Sequence, residues 1–349
     1  MKIIHTADIH LGSKINSFPK EVCQDRKEEV RNTFKRMVEY AVQSGVEVVL
    51  ISGDLFDSDK PLVKDKDFFY SVVENNPSIT FIYLRGNHDE LSDGRVLPNL
   101  KTFTTNWQTY EFYNVAISGV ETVKENATSI YSTLNLDRSK LNIVLMHGQI
   151  GDGSGYQKVN LSKLRDKGID YLALGHIHEH SFGKIDERAS YAYSGCLEGR
   201  GFDETGKKGF ILLNIEDKIT AQFIPFSEKE ISLVSVDVSG LKDAYSIYLK
   251  SLAVGKFEKS GIYKVQLIGE VDSVIDGLES DLTKYLSSDV SYVEVKDLTK
   301  KKLNVKDYEY DASIKGEFVR VVLSDNTLTD EDKAQIISYG LKVLSGREI

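Results

Sequence analysis

The chain has 349 residues, 41% hydrophobic and 28% charged, and 53 acidic against 44 basic side chains give a net charge of -9. That length can bury one large core and a smaller one, and the acidic balance argues against a wide basic surface that grips nucleic acid, unless bound cations invert the local field. No apolar run reaches the roughly 18 residues of a membrane span. The opening Met1-Lys2-Ile3-Ile4-His5 enters a strand pattern at once, and two distant cysteines, Cys23 and Cys196, make a poor disulfide framework, so a cytoplasmic protein off the membrane with two free thiols is expected.

Residues 2–7 read as a strand ending in Asp8-Ile9-His10. Val30, Phe34, Met37, Val38 and Ala41 fall at helical spacing within 21–44, and Gly45 is placed to end that helix. The run 46–52 is a buried strand ending in Gly53-Asp54-Leu55-Phe56-Asp57, and a helix over 64–75 follows. The next strand, 79–84, delivers Gly86-Asn87-His88-Asp89. Strand, helix, strand, helix, strand predicts parallel strands with crossover helices. With weaker helices between them, 142–146 ends in His147-Gly148 and 171–174 ends in Gly175-His176-Ile177-His178. Residues 191–193, 210–215 and 219–226 then read as successive antiparallel strands. The expected fold class is α/β, a two-layer β-sandwich flanked by helices, with a second, smaller α/β domain. That second domain has strands over 231–238, 262–268 and 292–295 and helices over 242–253 and 274–286, and none of its strands ends in His or Asn. Past residue 302 a polar linker leads to a short strand over 318–323 and a helix over 330–344, which Thr329 and Asp332 start in the manner of a capping box. The expected divisions are 1–227, 228–302 and 303–349.

Five strand ends in the first 180 residues therefore carry metal-competent side chains: Asp8 and His10, Asp54 and Asp57, Asn87 and His88, His147, and His176 with His178. They take five of the seven histidines. Loops at the carboxyl ends of parallel strands lie along one edge, so these groups can converge. Imidazole mixed with carboxylate and amide oxygens suits Mn, Fe or Zn, and the number of donors exceeds one coordination sphere. Two cations so held are the usual device for in-line displacement at phosphorus.

Asp8-Ile9-His10, Gly53-Asp54-Leu55-Phe56-Asp57, Gly86-Asn87-His88-Asp89, His147 and Gly175-His176-Ile177-His178, in this order, resemble the five motifs of the calcineurin-like metallophosphoesterases. The wording from Ile4 to Gly12 and from Gly175 to Glu179 resembles the DNA-repair exonucleases of the SbcD type, over roughly residues 1–226. Gly195, Glu198, Gly199, Arg200 and the turn from Glu204 to Gly209 are similar to a bacterial branch, the YhaO-like proteins. The resemblance implies that Asp8, His10 and His178 hold one metal, that Asn87, His147 and His176 hold another, and that Asp54 bridges both. It leaves His88 to act on the leaving oxygen, with Asp89 behind its ring. Some relatives carry a second histidine where this chain has Asp57, which is expected instead to accept a hydrogen bond from a ligand. Arg85 and Arg200, beside the motifs, are candidate substrate contacts.

The function so implied is a DNA exonuclease, with endonuclease action as an addition, using two divalent ions, Mn²⁺ first and Fe²⁺ or Zn²⁺ as alternatives. A phosphatase or cyclic-nucleotide phosphodiesterase of the same fold is the alternative, and a non-catalytic scaffold the third reading. The implied partners are DNA, an SMC-like coiled-coil ATPase of the SbcC type, and a second copy of the chain. Ile336, Ile337, Leu341 and Leu344 lie on one side of the last helix, a stripe for the ATPase or for the helix's own domain.

Overall fold

Alternate residues of the first strand enter two different cores, and this organises the first half of the chain. A computed structural model describes residues 1–58, 60–86, 89, 95–152, 155–302, 305–308 and 310–344, and its backbone divides into two units. The first unit is Met1–Leu233 with Glu258–Tyr263 and Val290–Tyr292. Its elements are β1 (Lys2–Thr6), α1 (Lys20–Gln43), β2 (Val48–Ser52), α2 (Val63–Glu74), β3 (Thr80–Leu84), β4 (Leu100–Thr102), β5 (Gln108–Phe112) and β6 (Val115–Gly119). Then come α3 (Ile130–Thr133), β7 (Leu141–His147), β8 (Gln149–Ile150), β9 (Lys158–Val159), β10 (Tyr171–Gly175), β11 (Ser181–Lys184), β12 (Ser190–Tyr193), β13 (Gly209–Ile215) and β14 (Ile219–Pro225).

One six-stranded sheet runs β14-β13-β1-β2-β3-β4, and a second runs β11-β12-β10-β7-β6-β5. In the first, β1 to β4 are parallel and β13 and β14 antiparallel; in the second, β12, β10, β7 and β6 are parallel, with β11 and β5 as antiparallel edges. Period-two alternation sorts the side chains. Ile3, Val48, Leu50, Ile82, Ile143, Leu145 and Tyr171 fill the core between the sheets. Ile4, Val49, Ile51, Phe81 and Tyr83 pack under Val30, Phe34, Met37 and Val38 of α1 and Phe69 and Val73 of α2. On the far side Val144, Met146, Leu172 and Leu174 meet Ile130 and Tyr131 of α3. The result is two sheets flanked by helices. Burial of each such aliphatic side chain stabilises the fold by roughly 1.5–3 kcal/mol.

One expectation needs correction here. Residues 191–193 do not join 210–215 as antiparallel neighbours: β12 runs parallel to β10 in the second sheet, while β13 crosses to lie beside β1. The reason is burial on both faces of β13, with Ile211, Leu213 and Ile215 in the inter-sheet core and Phe210 and Leu212 in the helix-side core, which demands a position inside the first sheet. Between β3 and β7 the described residues add three strands, β4, β5 and β6, and the weak helix there is the four-residue α3, in the crossover from β6 to its parallel neighbour β7. The strand β5, Gln-Thr-Tyr-Glu-Phe, is too polar and half-exposed to announce itself.

The second unit comprises Val234–Phe257, Lys264–Asp289 and Val293–Ile349. The elements wholly or mostly within it are β15 (Ile231–Asp237), α4 (Ala244–Val254), β16 (Ile262–Ile268), β17 (Glu270–Val271), α5 (Leu278–Leu286), β18 (Tyr292–Asp297), β19 (Lys300–Lys301), α6 (Ile314–Ser324) and α7 (Asp330–Leu344). The sheet order is β15-β16-β18, with β17 and β19 as a separate pair. The stretch 318–323, expected as a strand, lies inside α6. Its Phe-Val-Arg-Val-Val-Leu wording favours β by propensity, yet Val319 and Val322, three apart, are the positions it buries, against Ile337 and Leu341 of α7. Ser313 caps this helix by accepting from the Gly316 N–H. At the start of α7, Thr329 and Asp332 bond each other's backbone N–H reciprocally, both at 3.2 Å. Among the described residues no helix is long and apolar enough to cross a membrane.

Candidate metal centre

The loops after β1 and β2 run side by side, tied by Asp8 N–H to Gly53 O (3.0 Å), His10 N–H to Asp54 O (3.0 Å) and Leu11 N–H to Leu55 O (2.8 Å). A further tie crosses from the second sheet, where the His176 N–H donates to the Asp8 carboxylate at 2.9 and 3.0 Å. Four strand-end residues, Asp8, His10, Asp54 and His176, have left-handed backbones with φ of 51°, 52°, 49° and 97°. Such conformations cost of order 1–3 kcal/mol each and persist only where the surroundings over-determine them. Glycine permits the close packing around them. A Cβ at Gly53 would overlap the His147 ring, and one at Gly86 would overlap the Asp54 carboxylate.

Two clusters result. Asp8, His10 and His178 each offer a ligand atom within 4.8 Å of the others, and so do Asp54, His147 and His176. Asp54 Oδ2 stands between them, 3.9 Å from His10 Nε2 and 3.5 Å from His147 Nε2. Asn87 and His88 lie outside the described residues.

The tautomers follow from the outer ring nitrogens. His147 Nδ1 lies 2.9 Å from the carbonyl oxygen of Ser52, so it carries the proton and leaves a lone pair on Nε2 facing the Asp54 carboxylate. His178 Nδ1 lies 2.7 Å from Glu204 Oε1, and His10 Nδ1 lies 3.1 Å from Asp57 Oδ1. The Nε2 atoms of these two rings face each other, 3.2 Å apart. Lone pairs facing lone pairs and carboxylates repel unless a cation or proton lies among them, so this donor set fits divalent metals. Titration behaviour agrees in direction. Burial pushes the Asp8 carboxyl up to about 7. Burial also opposes the charge on His147, but the Asp54 carboxylate outweighs it and raises the ring to about 9.

The flanking residues have defined partners. Asp57, despite partial burial, is lowered to about 2 by His10 and Arg200. Asp89 accepts the backbone N–H groups of Leu55 (3.1 Å), Phe56 (2.7 Å) and Gly86 (2.9 Å), so its carboxylate joins the β2 loop to the β3 loop. Arg85 forks onto Glu121 at 2.7 and 2.5 Å. Arg200 forks onto Glu204 and reaches Asp57 at 3.0 Å. Glu204 has no assigned role from the sequence, where it appears only as the start of the turn that resembles the YhaO-like branch. Both cysteines are free and buried. His5 is buried with Nδ1 2.9 Å from the Tyr171 hydroxyl, and His180 stacks on Phe223 at 3.7 Å.

Comparison with known proteins adds the family. The family described as calcineurin-like phosphoesterase matches residues 1–180. An uncharacterized metallophosphoesterase of Bacillus subtilis, YhaO, is 25% identical over 71% of this chain and 66% of its own length, just under two thirds of that protein. The DNA double-strand break repair protein Mre11 of Sulfolobus acidocaldarius is 22% identical over 78% of this chain and 76% of its own. A dimetal phosphatase structure from Danio rerio covers 64% of this chain and 95% of its own, at 12% identity and a TM-score of 0.42.

Proposed function

This chain belongs to the calcineurin-like phosphoesterases, metal-dependent hydrolases, and we propose that it cleaves phosphodiester bonds in DNA as an exonuclease in repair or processing. The observation that carries the reading is the position of Asp54 between two donor clusters. Similarity to Mre11, a DNA double-strand break repair protein, favours DNA over a small phosphoester. Asp8, His10 and His178 hold one cation, Asn87, His147 and His176 the other, and Asp54 serves both. The nitrogen and oxygen donors suit Mn²⁺ first, then Fe²⁺ or Zn²⁺. When bound, the ions supply Lewis-acid polarisation of a phosphoryl oxygen and a nucleophilic water at neutral pH.

The chain's own residues then set position and proton traffic. Ser52 O and Glu204 accept from the outer ring nitrogens of His147 and His178 and keep each Nε2 aimed inward, while the Asp57 carboxylate stands 3.1 Å from His10 Nδ1 as its charge partner. Asp89 fixes the spacing of two ligand-bearing loops, and His88, between Asn87 and Asp89 in sequence, gives a proton to the leaving oxygen. The second unit caps the DNA, and an SMC-like ATPase and a second copy of the chain complete the assembly.

The test is purified protein with Mn²⁺ and end-labelled duplex. Nucleotide release is expected, with Asp54→Ala losing both metal and activity. His88→Asn should retain two equivalents of metal while its rate falls by about 10²- to 10⁴-fold. Wild-type protein that cleaves small phosphoesters but never DNA would transfer the reading to a phosphatase.

A further inference from the structure

Three charged residues, Glu204, Arg200 and Asp57, are bonded to one another behind the first cluster. Glu204 Oε1 receives the His178 Nδ1 proton at 2.7 Å, and Asp57 Oδ1 lies 3.1 Å from His10 Nδ1. Arg200 joins the two carboxylates. Its Nη2 donates to Glu204 Oε1 at 2.6 Å, its Nη1 to Asp57 Oδ1 at 3.0 Å, and its own backbone N–H to Glu204 Oε2 at 2.7 Å. The segment carrying Arg200 is anchored from below: the fully buried Arg26 of α1 bonds the Gly199 carbonyl and, at 3.0 Å, Glu198. Glu198 in turn accepts from Thr33 at 2.8 Å and from the Glu228 N–H at 2.8 Å.

In the second cluster the His147 Nδ1 meets the neutral carbonyl of Ser52. A carboxylate behind a ligating imidazole fixes its orientation and raises its basicity, and removing such a partner typically costs 10–100-fold in metal affinity. A single guanidinium shared by two carboxylates imposes one geometry on both rings at once, which a lysine's point charge would not do.

We propose that Glu204, Arg200 and Asp57 form a single positioning clamp, carboxylate–guanidinium–carboxylate, that sets the two histidines of the Asp8, His10, His178 cluster for a divalent cation and leaves the other cluster alone. This rests on the two-cluster reading above. It assigns Arg200 to the metal site rather than to the substrate.

Mn²⁺ binding to the full chain, followed by titration calorimetry and by electron paramagnetic resonance, tests it. Wild type takes two equivalents and shows the exchange-coupled spectrum of a manganese pair. Arg200→Met weakens one equivalent by about 10- to 100-fold, keeps the other within about twofold, and at one equivalent shows the isolated-ion spectrum. Asp57→Asn, at a partly exposed side chain whose replacement leaves the core untouched, weakens the same equivalent. The double variant loses less than the product of the two single losses, because the residues act as a unit. If Arg200→Met fails to fold, Asp57→Asn decides alone. Variants that bind both ions as wild type does, or that weaken both equally, overturn the clamp. Wild type that binds fewer than two equivalents overturns the two-cluster reading and the clamp together.

Discussion

His5 sits three residues before Asp8 and performs a different task from the histidines that follow. Its ring is fully buried beside Tyr171, and burial lowers its pKa from 6.5 to about 3. The unfolded chain protonates this residue below about 6.5, whereas the folded chain resists until about 3. Between those values the unfolded state binds more protons, so the contribution of His5 is complete above pH 6.5 and is lost as pH falls towards 3. At roughly 1.4 kcal/mol per pKa unit the full effect is on the order of 5 kcal/mol. Urea unfolding from pH 7 down to 4.5 should show falling stability in wild type and a visibly flatter profile in His5→Gln. Parallel profiles would mean that the acid sensitivity lies elsewhere. The nearby left-handed residues Asp8, His10 and Asp54 show why this part of the chain tolerates little change: backbone strain, glycine contacts and buried charge are concentrated within a few positions.

The pair α6 and α7 divides the apolar stripe of the last helix between two environments. Ile337 and Leu341 are buried against Val319 and Val322, whereas Ile336 and Leu344 remain exposed by 38% and 41%. Leu341→Ala should therefore loosen this pair by roughly 2–5 kcal/mol, read as lost amide hydrogen-exchange protection in α6, while Ile336→Ala should change it little. Protection unchanged in Leu341→Ala would mean that this packing does not hold α6. The same pair shows where sequence patterns give out. A run of β-branched residues over 318–323 looks like a strand until the partner of Val319 and Val322 is known. By contrast β1, β2, β3, β7 and β10 were legible because both faces are covered, which makes them mostly apolar, each followed by polar residues with nothing to do in a core. Strand ends that share one edge made the clusters foreseeable. Glu204 was not foreseeable, since its value comes from meeting His178 across 26 positions of chain, and no periodicity encodes that contact.

At the scale of the whole molecule, cation binding adds to the packing and the few hydrogen bonds that join the two sheets. The first cluster joins the ends of β1 and β10, which belong to different sheets, and the second joins β2, β7 and β10. A ligand that requires all of these to be folded stabilises the unit by mass action, by about 2.7 kcal/mol for each site at a hundredfold excess over Kd. For a unit of this size each kcal/mol raises Tm by about 2–4 °C, so saturation with Mn²⁺ should lift the midpoint by roughly 5–10 °C for one site and more for two. The chain carries a convenient reporter in its single tryptophan. Trp107 lies in the first unit, its indole N–H 2.8 Å from the Ile130 carbonyl, against the outer face of the second sheet. Thermal melts followed by Trp107 fluorescence, in EDTA and with increasing Mn²⁺, should shift upward with metal in wild type and much less in Asp54→Ala, which removes the carboxylate common to both clusters. A Trp107 transition indifferent to Mn²⁺ in wild type would mean that the clusters do not bind the ion tightly enough to bridge the sheets, and the two-metal account of hydrolysis would fall with it.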